Sequence, residues 1–320
     1  MQGLVTVFGG SGFLGSYVVR ALAKRGWRIR VACRRPNLAY RLRPMGDVGQ
    51  IQLFQANVGV PETVEQALEG AEACVNLVGV LYQTPKRSFQ RVHVEGARNV
   101  AGAATARGIT KFVQVSAIGA DPDAPSVYAR TKGEGEAQVR KQIASARVLR
   151  PSVLFGPEDD FFNRFAAMSG WSPALPLIGG GKTRFQPAYV ADVGRAVAQC
   201  LDDDATAGKT FELGGPRVYT FKELMQILLR ETHRSRLLVP VPGSIAGLIG
   251  IAGDIEAAIT PFKPMLTSDQ ALLLESDNVV GDKAEGFAAL GITPADVESI
   301  VPTYLWRYRK DGQFADAVPT

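Results

Sequence analysis

Apolar positions near the start of the chain come first as an unbroken run and then at helical spacing. Leu4 to Phe8 is apolar except for Thr6, and beyond a glycine-rich turn Tyr17, Val18, Ala21 and Leu22 recur on one face of a 3.6-residue period. The first segment reads as a buried strand over 4–8 and the second as a helix over 13–24. The alternation continues, with strands predicted over 28–33, 51–55, 73–80, 111–116 and 147–154, and helices over 64–68, 89–106 and 128–144. Strands that alternate with helices are joined by crossovers and therefore run parallel, so the expected fold class is α/β, a doubly wound parallel sheet. After Gly156 the rhythm loosens. Residues 173–187 are rich in Pro and Gly, a helix returns over 190–200 and a strand over 210–213, and further helices are predicted near 221–232 and 244–259. The expected organisation is a domain over 1–156, completed by about 187–215, and a smaller discontinuous lobe from 157–186 and 216–320. No internal repeat or low-complexity tract interrupts it.

The turn between the first strand and helix, Gly9-Gly10-Ser11-Gly12-Phe13-Leu14-Gly15, has the spacing of a dinucleotide-binding turn of the Rossmann type. Glycine is needed there because a pyrophosphate must approach the backbone where a Cβ would stand, and because the helix must pack closely with its first N–H groups aimed at the phosphates. About twenty residues on, where an Asp or Glu would bind the ribose 2′-hydroxyl of NAD, stand Arg34 and Arg35. Guanidiniums suit a 2′-phosphate, which favours NADPH or NADP over NAD(H); Arg41 and Arg43 follow closely, so a solvated basic loop is the alternative.

Tyr128-Ala129-Arg130-Thr131-Lys132 sets a phenol and an ammonium at i and i+4 on one helix face. In that arrangement the Lys can lower the phenol's pKa and hold a nicotinamide ribose, which makes the Tyr a proton donor to a carbonyl. Gly179-Gly180-Gly181-Lys182 lacks the strand before and the helix after that a phosphate loop needs, and reads as a surface turn.

Composition narrows the class. The chain has 320 residues, 46% of them hydrophobic, enough for a large core. A formal net charge of +5, spread along the chain, fits an anionic cofactor but gives no nucleic-acid footprint. Cys33, Cys74 and Cys200 lack ligand spacing and read as core residues, and with only His93 and His233 as histidines no metal site is expected. Asp159-Asp160 and Asp202-Asp203-Asp204 read as loop and helix-end surface. No signal or transit segment is expected, because the first strand begins by Leu4, and no run reaches the roughly 18–20 apolar residues that span a bilayer. Ile245, Leu248, Ile249, Ala252, Ile255 and Ile259 form one apolar stripe, which either faces a core or docks a partner; the cations of a lipid-surface helix are missing from it.

Taken together, the glycine turn, Asn76-Leu77-Val78-Gly79, the segment His93 to Val100, Val115-Ser116-Ala117 and Tyr128/Lys132 resemble an extended or atypical short-chain dehydrogenase/reductase over nearly the whole chain. More narrowly, the segments Arg150 to Asn163 and Gln186 to Val193, with Pro261-Phe262, resemble the NADPH-binding accessory subunits of respiratory complex I. The resemblance implies a cofactor site drawn from Gly9, Gly12, Phe13, Leu14, Gly15, Arg34, Arg35, Asn57, Val58, Leu77, Val78, Gly79, Val115, Ser116, Tyr128, Lys132, Pro151 and Val153. It also implies complex I subunits as partners and a peripheral place on the cytoplasmic face of a bacterial inner membrane, or on the mitochondrial matrix face. Departures from the pattern point to weakened chemistry, with Tyr128, Lys132 and Ser116 vestigial. Ala117 falls where an active relative has Ser or Thr, unless a one-residue slip restores Ser116; His93 replaces an Asn, and Asn57 an Asp. A free-standing NADPH-dependent reductase or sugar-nucleotide epimerase using Tyr128 and Lys132 is the alternative.

Overall fold

The computed structural model describes residues 3–314 apart from residues 86, 261–263 and 265. The Pro261-Phe262 pair lies outside the described residues. The chain divides into two compact units. The first takes Met1–Pro151, Ala191–Leu213 and Gly281–Thr293, the second Ser152–Val190, Gly214–Val280 and Pro294–Thr320.

The first unit is built on a seven-stranded parallel sheet: β1 (Leu4–Phe8), β2 (Arg28–Cys33), β3 (Ile51–Gln55), β4 (Ala73–Asn76), β5 (Lys111–Val115), β6 (Arg147–Pro151) and β7 (Thr210–Leu213). The strand order is β7-β6-β5-β4-β1-β2-β3, so the chain winds outward from β1 to one side and then from β4 to the other. The carboxyl ends of β1 and β4 flank the reversal of order, where open α/β sheets bind ligands. Phe8 pairs with Ala32 on one side and with Asn76 on the other, which brings the ends of β1, β2 and β4 level. Helices α1 (Phe13–Lys24), α2 (Pro61–Ala67), α3 (Gly96–Ala106), α4 (Val127–Gln142) and α5 (Val190–Asp202) accompany the sheet. Val64, Leu68, Val100, Phe112 and Val139 are fully buried in one of its cores, and Cys33, Cys74 and Cys200 are all buried and free.

Several boundaries move from the sequence expectation for local reasons. The fourth strand stops at Asn76, whose side-chain oxygen accepts the Val78 N–H and turns the chain out of the sheet. The sixth stops at Pro151, which has no N–H to continue the ladder, and Leu154–Phe155 pairs separately with Ala188–Tyr189. The second helix starts earlier, with Pro61 in its first turn, a position that tolerates the missing N–H. Instead of one helix over 89–106, Gln90–Glu95 winds as a π-turn before α3 begins.

The second unit has an aromatic core. Phe155, Phe162 and Phe221 are buried: Phe162 meets Phe155 and Phe161 edge to face, and Phe221 meets Phe161 and Phe165 in the same way. The Pro- and Gly-rich stretch expected to be irregular holds a strand, Ala174–Ile178, paired in parallel with Leu237–Val241 despite Pro176 and Pro240. Gly179, Gly180 and Gly181 all take positive φ in the turn that follows. Asp159, expected as loop surface, is only 3% exposed: its carboxylate accepts the Gly156 and Asn163 N–H groups and the Tyr304 hydroxyl at 2.6 Å. Those donors offset part of the cost of burying a charge, and burial still holds its pKa above the usual carboxylate value.

Candidate functional site

The glycine turn is shaped by backbone crowding. Gly9 takes φ +78°, and a Cβ there would stand 3.1 Å from the Leu77 carbonyl carbon and 3.2 Å from the Val78 nitrogen. A Cβ on Gly15 would stand 2.4 Å from the Gly9 oxygen and 2.5 Å from the Gly10 carbonyl carbon, so α1 reaches the turn only with glycine at that position. Gly12 differs. It precedes α1 at φ −78°, is exposed, and a Cβ there would meet only the Gly9 oxygen, at 3.3 Å. The space over Gly12 is therefore open cradle, while Gly9 and Gly15 make the turn itself. Phe13 and Leu14 begin α1, half-buried, and Phe13 meets Tyr17 edge to face at 5.9 Å.

Around β4, β5 and α4 the structure brings together Leu77, Val78, Gly79, Val115, Ser116, Tyr128 and Lys132. The Leu77 N–H donates to the Phe8 carbonyl, which ties the loop after β4 to the end of β1. A Cβ on Gly79 would stand 3.6 Å from Lys132 Nζ and 3.7 Å from His93 Nε2. Lys132 is 8% exposed and donates from Nζ to the Val115 carbonyl at 3.1 Å. Burial lowers its pKa to about 8 against the opposing pull of Glu136, which is itself bound by both arms of Arg150 at 3.0 and 2.7 Å. Ser116 Oγ, next in the chain to that carbonyl, is the sole buried side-chain polar atom without a hydrogen-bond partner among the described residues. Ala117 has no hydroxyl to offer. An orphaned hydroxyl next in the chain to the carbonyl that a buried ammonium binds, together with an open glycine cradle, fits a nicotinamide dinucleotide.

His93 carries more of this site than its sequence reading as a structural histidine suggests. Its Nε2 accepts the Val80 N–H at 3.1 Å, so Nδ1 bears the proton and donates to Thr131 Oγ1 at 3.1 Å; that hydroxyl donates on to the Val127 carbonyl. Burial, then the Lys132 charge, pushes its pKa down to about 2, so the ring stays neutral. Phe89 stacks on the ring at 5.3 Å, and both rings meet Tyr128 edge to face, at 5.7 Å for Phe89 and 5.4 Å for His93. The π-turn delivers His93 to this place, and π-turns concentrate at functional sites. Two glycines inside α4 allow the approach. A Cβ on Gly135 would stand 2.3 Å from the His93 oxygen, and one on Gly133 would stand 2.6 Å from the Asp121 carbonyl carbon. The sequence signal was available in Lys132-Gly133-Glu134-Gly135, where glycine inside a helix asks for a packing reason.

Arg34 and Arg35 follow β2 directly, both exposed and without an ion pair among the described residues. Asn57 uses its side-chain oxygen in its own turn, accepting the Gly59 N–H, and Val58 packs on Gly96 in the core while its carbonyl accepts from Asn99. Pro151 is buried at the end of β6 and accepts the Ile118 N–H. Val153 belongs to the second unit, where its N–H donates to Asn278 Oδ1.

In the second unit the stripe from Ile245 to Ile259 faces outward. Ile245, Leu248, Ile255 and Ile259 are 50–77% exposed, and Ile251 widens the apolar face. The buried face of the Gly243–Ile259 helix is instead Ala246, Gly250, Gly253 and Ala257. A Cβ on Gly250 would stand 2.6 Å from Ser268 Cα, and one on Gly253 would stand 1.8 Å from the Leu266 oxygen, an approach that only small residues permit. No helix among the described residues is long and apolar enough to cross a membrane.

Comparison with known proteins gives this geometry a context. Residues 5–214 match the model of the NAD dependent epimerase/dehydratase family. The chain is 33% identical over 309 residues to the mitochondrial NADH-ubiquinone oxidoreductase 40 kDa subunit of Neurospora crassa, covering 97% of this chain and 80% of that one. It is 35% identical over 320 residues to the mitochondrial NADH dehydrogenase [ubiquinone] 1 alpha subcomplex subunit 9 of Arabidopsis thaliana, covering 98% and 80%. Among solved structures, an NADPH-dependent quinone oxidoreductase of Escherichia coli complexed with NADPH superposes with a TM-score of 0.73 at 21% identity, over 94% of this chain and 99% of that one.

Proposed function

The chain belongs to the NAD dependent epimerase/dehydratase family, and from that premise we propose that it is an NADP(H)-holding accessory subunit of NADH:ubiquinone oxidoreductase. The observation that carries the reading is the 33–35% identity across almost the whole chain to complex I subunits of a fungus and a plant. Gly9, Gly12 and Gly15 would take the pyrophosphate, Arg34 and Arg35 the 2′-phosphate, and Leu77 to Gly79, Ser116, Tyr128 and Lys132 the nicotinamide half. The nucleotide supplies hydride chemistry wherever a substrate can reach it; in this reading it serves instead to hold the subunit's fold and its docking. In this reading the subunit is peripheral, on the cytoplasmic face of the inner membrane in a bacterium or on the matrix face in a mitochondrion.

Mass spectrometry of the complex purified from its own cells in mild detergent tests this. The expected result is one copy of the chain carrying one NADP(H) beside complex I subunits; a chain found wholly soluble, with no such subunit co-purifying, overturns it. Ser116 favours a second reading, a free-standing NADPH-dependent carbonyl reductase, because its orphaned hydroxyl is one that a carbonyl could take up. Multiple-turnover NADPH oxidation by the isolated protein with a carbonyl substrate, abolished by Tyr128→Phe, would establish that reading in place of the first.

A further inference from the structure

At the carboxyl edge of the sheet, the charges around the end of β2 sort into two groups. Arg41 donates to the Ser11 carbonyl of the glycine turn at 2.9 Å, and Arg43 lies over the Tyr40 ring at 4.9 Å. Arg34, Arg35 and Arg87 have no such partner and make no ion pair among the described residues. Arg87 lies more than fifty positions further along the chain, in the loop that leaves β4. Because β2 and β4 both pair with β1 and end level with it, the loop after β4 emerges at the same edge as Arg34. That loop is braced. Thr84 and Arg87 exchange two backbone hydrogen bonds, at 3.0 and 2.9 Å, and the Phe89 N–H donates to Gln83 Oε1 at 3.0 Å. Arg87 and Arg35 are the two charges that act on Arg34, and together with its partial burial, the larger cause, they lower its pKa.

Arg34 thus meets one like charge from its own loop and another from the loop after β4, and that repulsion costs the folded chain. A dianion seated between them would turn that repulsion into attraction, and guanidiniums are the side chains best matched to phosphate oxygens. We infer that Arg87 is a specificity-determining residue, closing with Arg34 on the 2′-phosphate of an adenine dinucleotide from the side opposite β2. The inference rests on the NADP(H) reading above and adds a second loop to it. The 2′-phosphate thereby couples the loop that carries Arg87 to the adenosine end of the site, and NADH leaves the two loops uncoupled.

The test uses the full chain stripped of nucleotide, with calorimetric titration of NADPH, NADH, adenosine 2′,5′-bisphosphate and 5′-AMP into the unaltered protein, Arg87→Gln and Arg34→Gln. Arg87→Gln is expected to weaken NADPH and the bisphosphate about tenfold to a hundredfold, to leave NADH and AMP within about twofold, and to flatten the salt dependence of bisphosphate binding. An unchanged bisphosphate-to-AMP ratio in Arg87→Gln, alongside a reduced ratio in Arg34→Gln, overturns the role of Arg87 while the NADP(H) reading stands. Equal loss of AMP and the bisphosphate also overturns it, since Arg87 would then serve the adenosine or the loop. If the unaltered protein binds NADH as well as NADPH, the cofactor reading itself fails. Circular dichroism of each variant keeps loss of fold separate from loss of contact.

Discussion

A single ring can hold a site together through its protonation state, and His93 does so here. Its two nitrogens are both committed, one accepting from Val80 and the other donating to Thr131, so the ring links the loop after β4 to the helix that carries Tyr128 and Lys132. A second proton on Nε2 would face the Val80 N–H and break that link. Burial and the Lys132 charge hold the folded-state pKa down at about 2, far below the ordinary 6.5. Between those values the unfolded chain takes up a proton that the folded chain refuses, so stability is full above pH 6.5 and falls as the pH drops below it, by about 1.4 kcal/mol per unit. His93→Gln keeps an acceptor for Val80 and a donor for Thr131 without the titration. Urea unfolding at pH 7 and pH 5.5 should show the unaltered protein losing about 1 kcal/mol more than His93→Gln over that interval. Equal losses would mean that the folded chain accommodates the protonated ring. Lys132 acts in another window: its folded pKa of about 8 against 10.5 means that the cost of burying the ammonium is full at neutral pH and eases as pH rises from 8 to 10.5.

Among the elements, the helix Gly243–Ile259 shows best how a residue pattern can be plain in the sequence while the side it faces is left open. The period of Ile245, Leu248, Ile249, Ile255 and Ile259 is plain in the sequence, and an apolar stripe usually marks the buried side. Here the backbone of Leu266, Thr267 and Ser268 approaches so closely that the buried side must be Ala246, Gly250, Gly253 and Ala257, leaving the aliphatic side in water. The exposed face bears no Lys or Arg to meet lipid phosphates, which favours a protein surface of the complex as its cover. Leu248→Asp with Ile255→Asp should therefore change the stability of the isolated chain by no more than about 1 kcal/mol, because both sites are exposed, while releasing the chain from the membrane fraction. Unfolding of the isolated double variant, or its full retention on the membranes, would sink the docking role. The strand–helix alternation and the glycine turn were legible because they obey local rules of period and backbone space. The π-turn at Gln90–Glu95, the strand Ala174–Ile178 and the burial of Asp159 were not, since each depends on a partner distant in sequence. Of the site, Tyr128 and Lys132 announce themselves by spacing, whereas Arg87 and His93 gain meaning only when β2, β4 and α4 bring their neighbours near.

For the whole molecule, the question is whether the nucleotide is a reagent or a part of the protein, and the glycine turn offers a substitution that separates the two. At Gly15 any side chain collides with the Gly9 and Gly10 backbone, so replacing it disrupts the turn and reports on nothing else. At Gly12 the backbone is in an ordinary extended conformation and a Cβ meets only the Gly9 oxygen, at 3.3 Å. Gly12→Asp should fold, and an aspartate just before the first turn of α1 even suits that helix's N-terminal dipole. The carboxylate nevertheless fills the cradle and repels the pyrophosphate that we propose lies over it. The expected outcome is a variant that melts where the stripped unaltered chain melts and gains nothing from added NADPH. The unaltered chain should gain about 2.7 kcal/mol at a hundredfold excess over its dissociation constant. In cells, Gly12→Asp should then be depleted from the purified complex, whereas Tyr128→Phe, which leaves the cradle untouched, should assemble in normal amount and support normal quinone reduction. If Gly12→Asp assembles as well as the unaltered chain, the bound nucleotide is dispensable to the architecture. If Tyr128→Phe alone impairs turnover, the site works on a substrate, and the orphaned Ser116 hydroxyl is where that substrate should be sought.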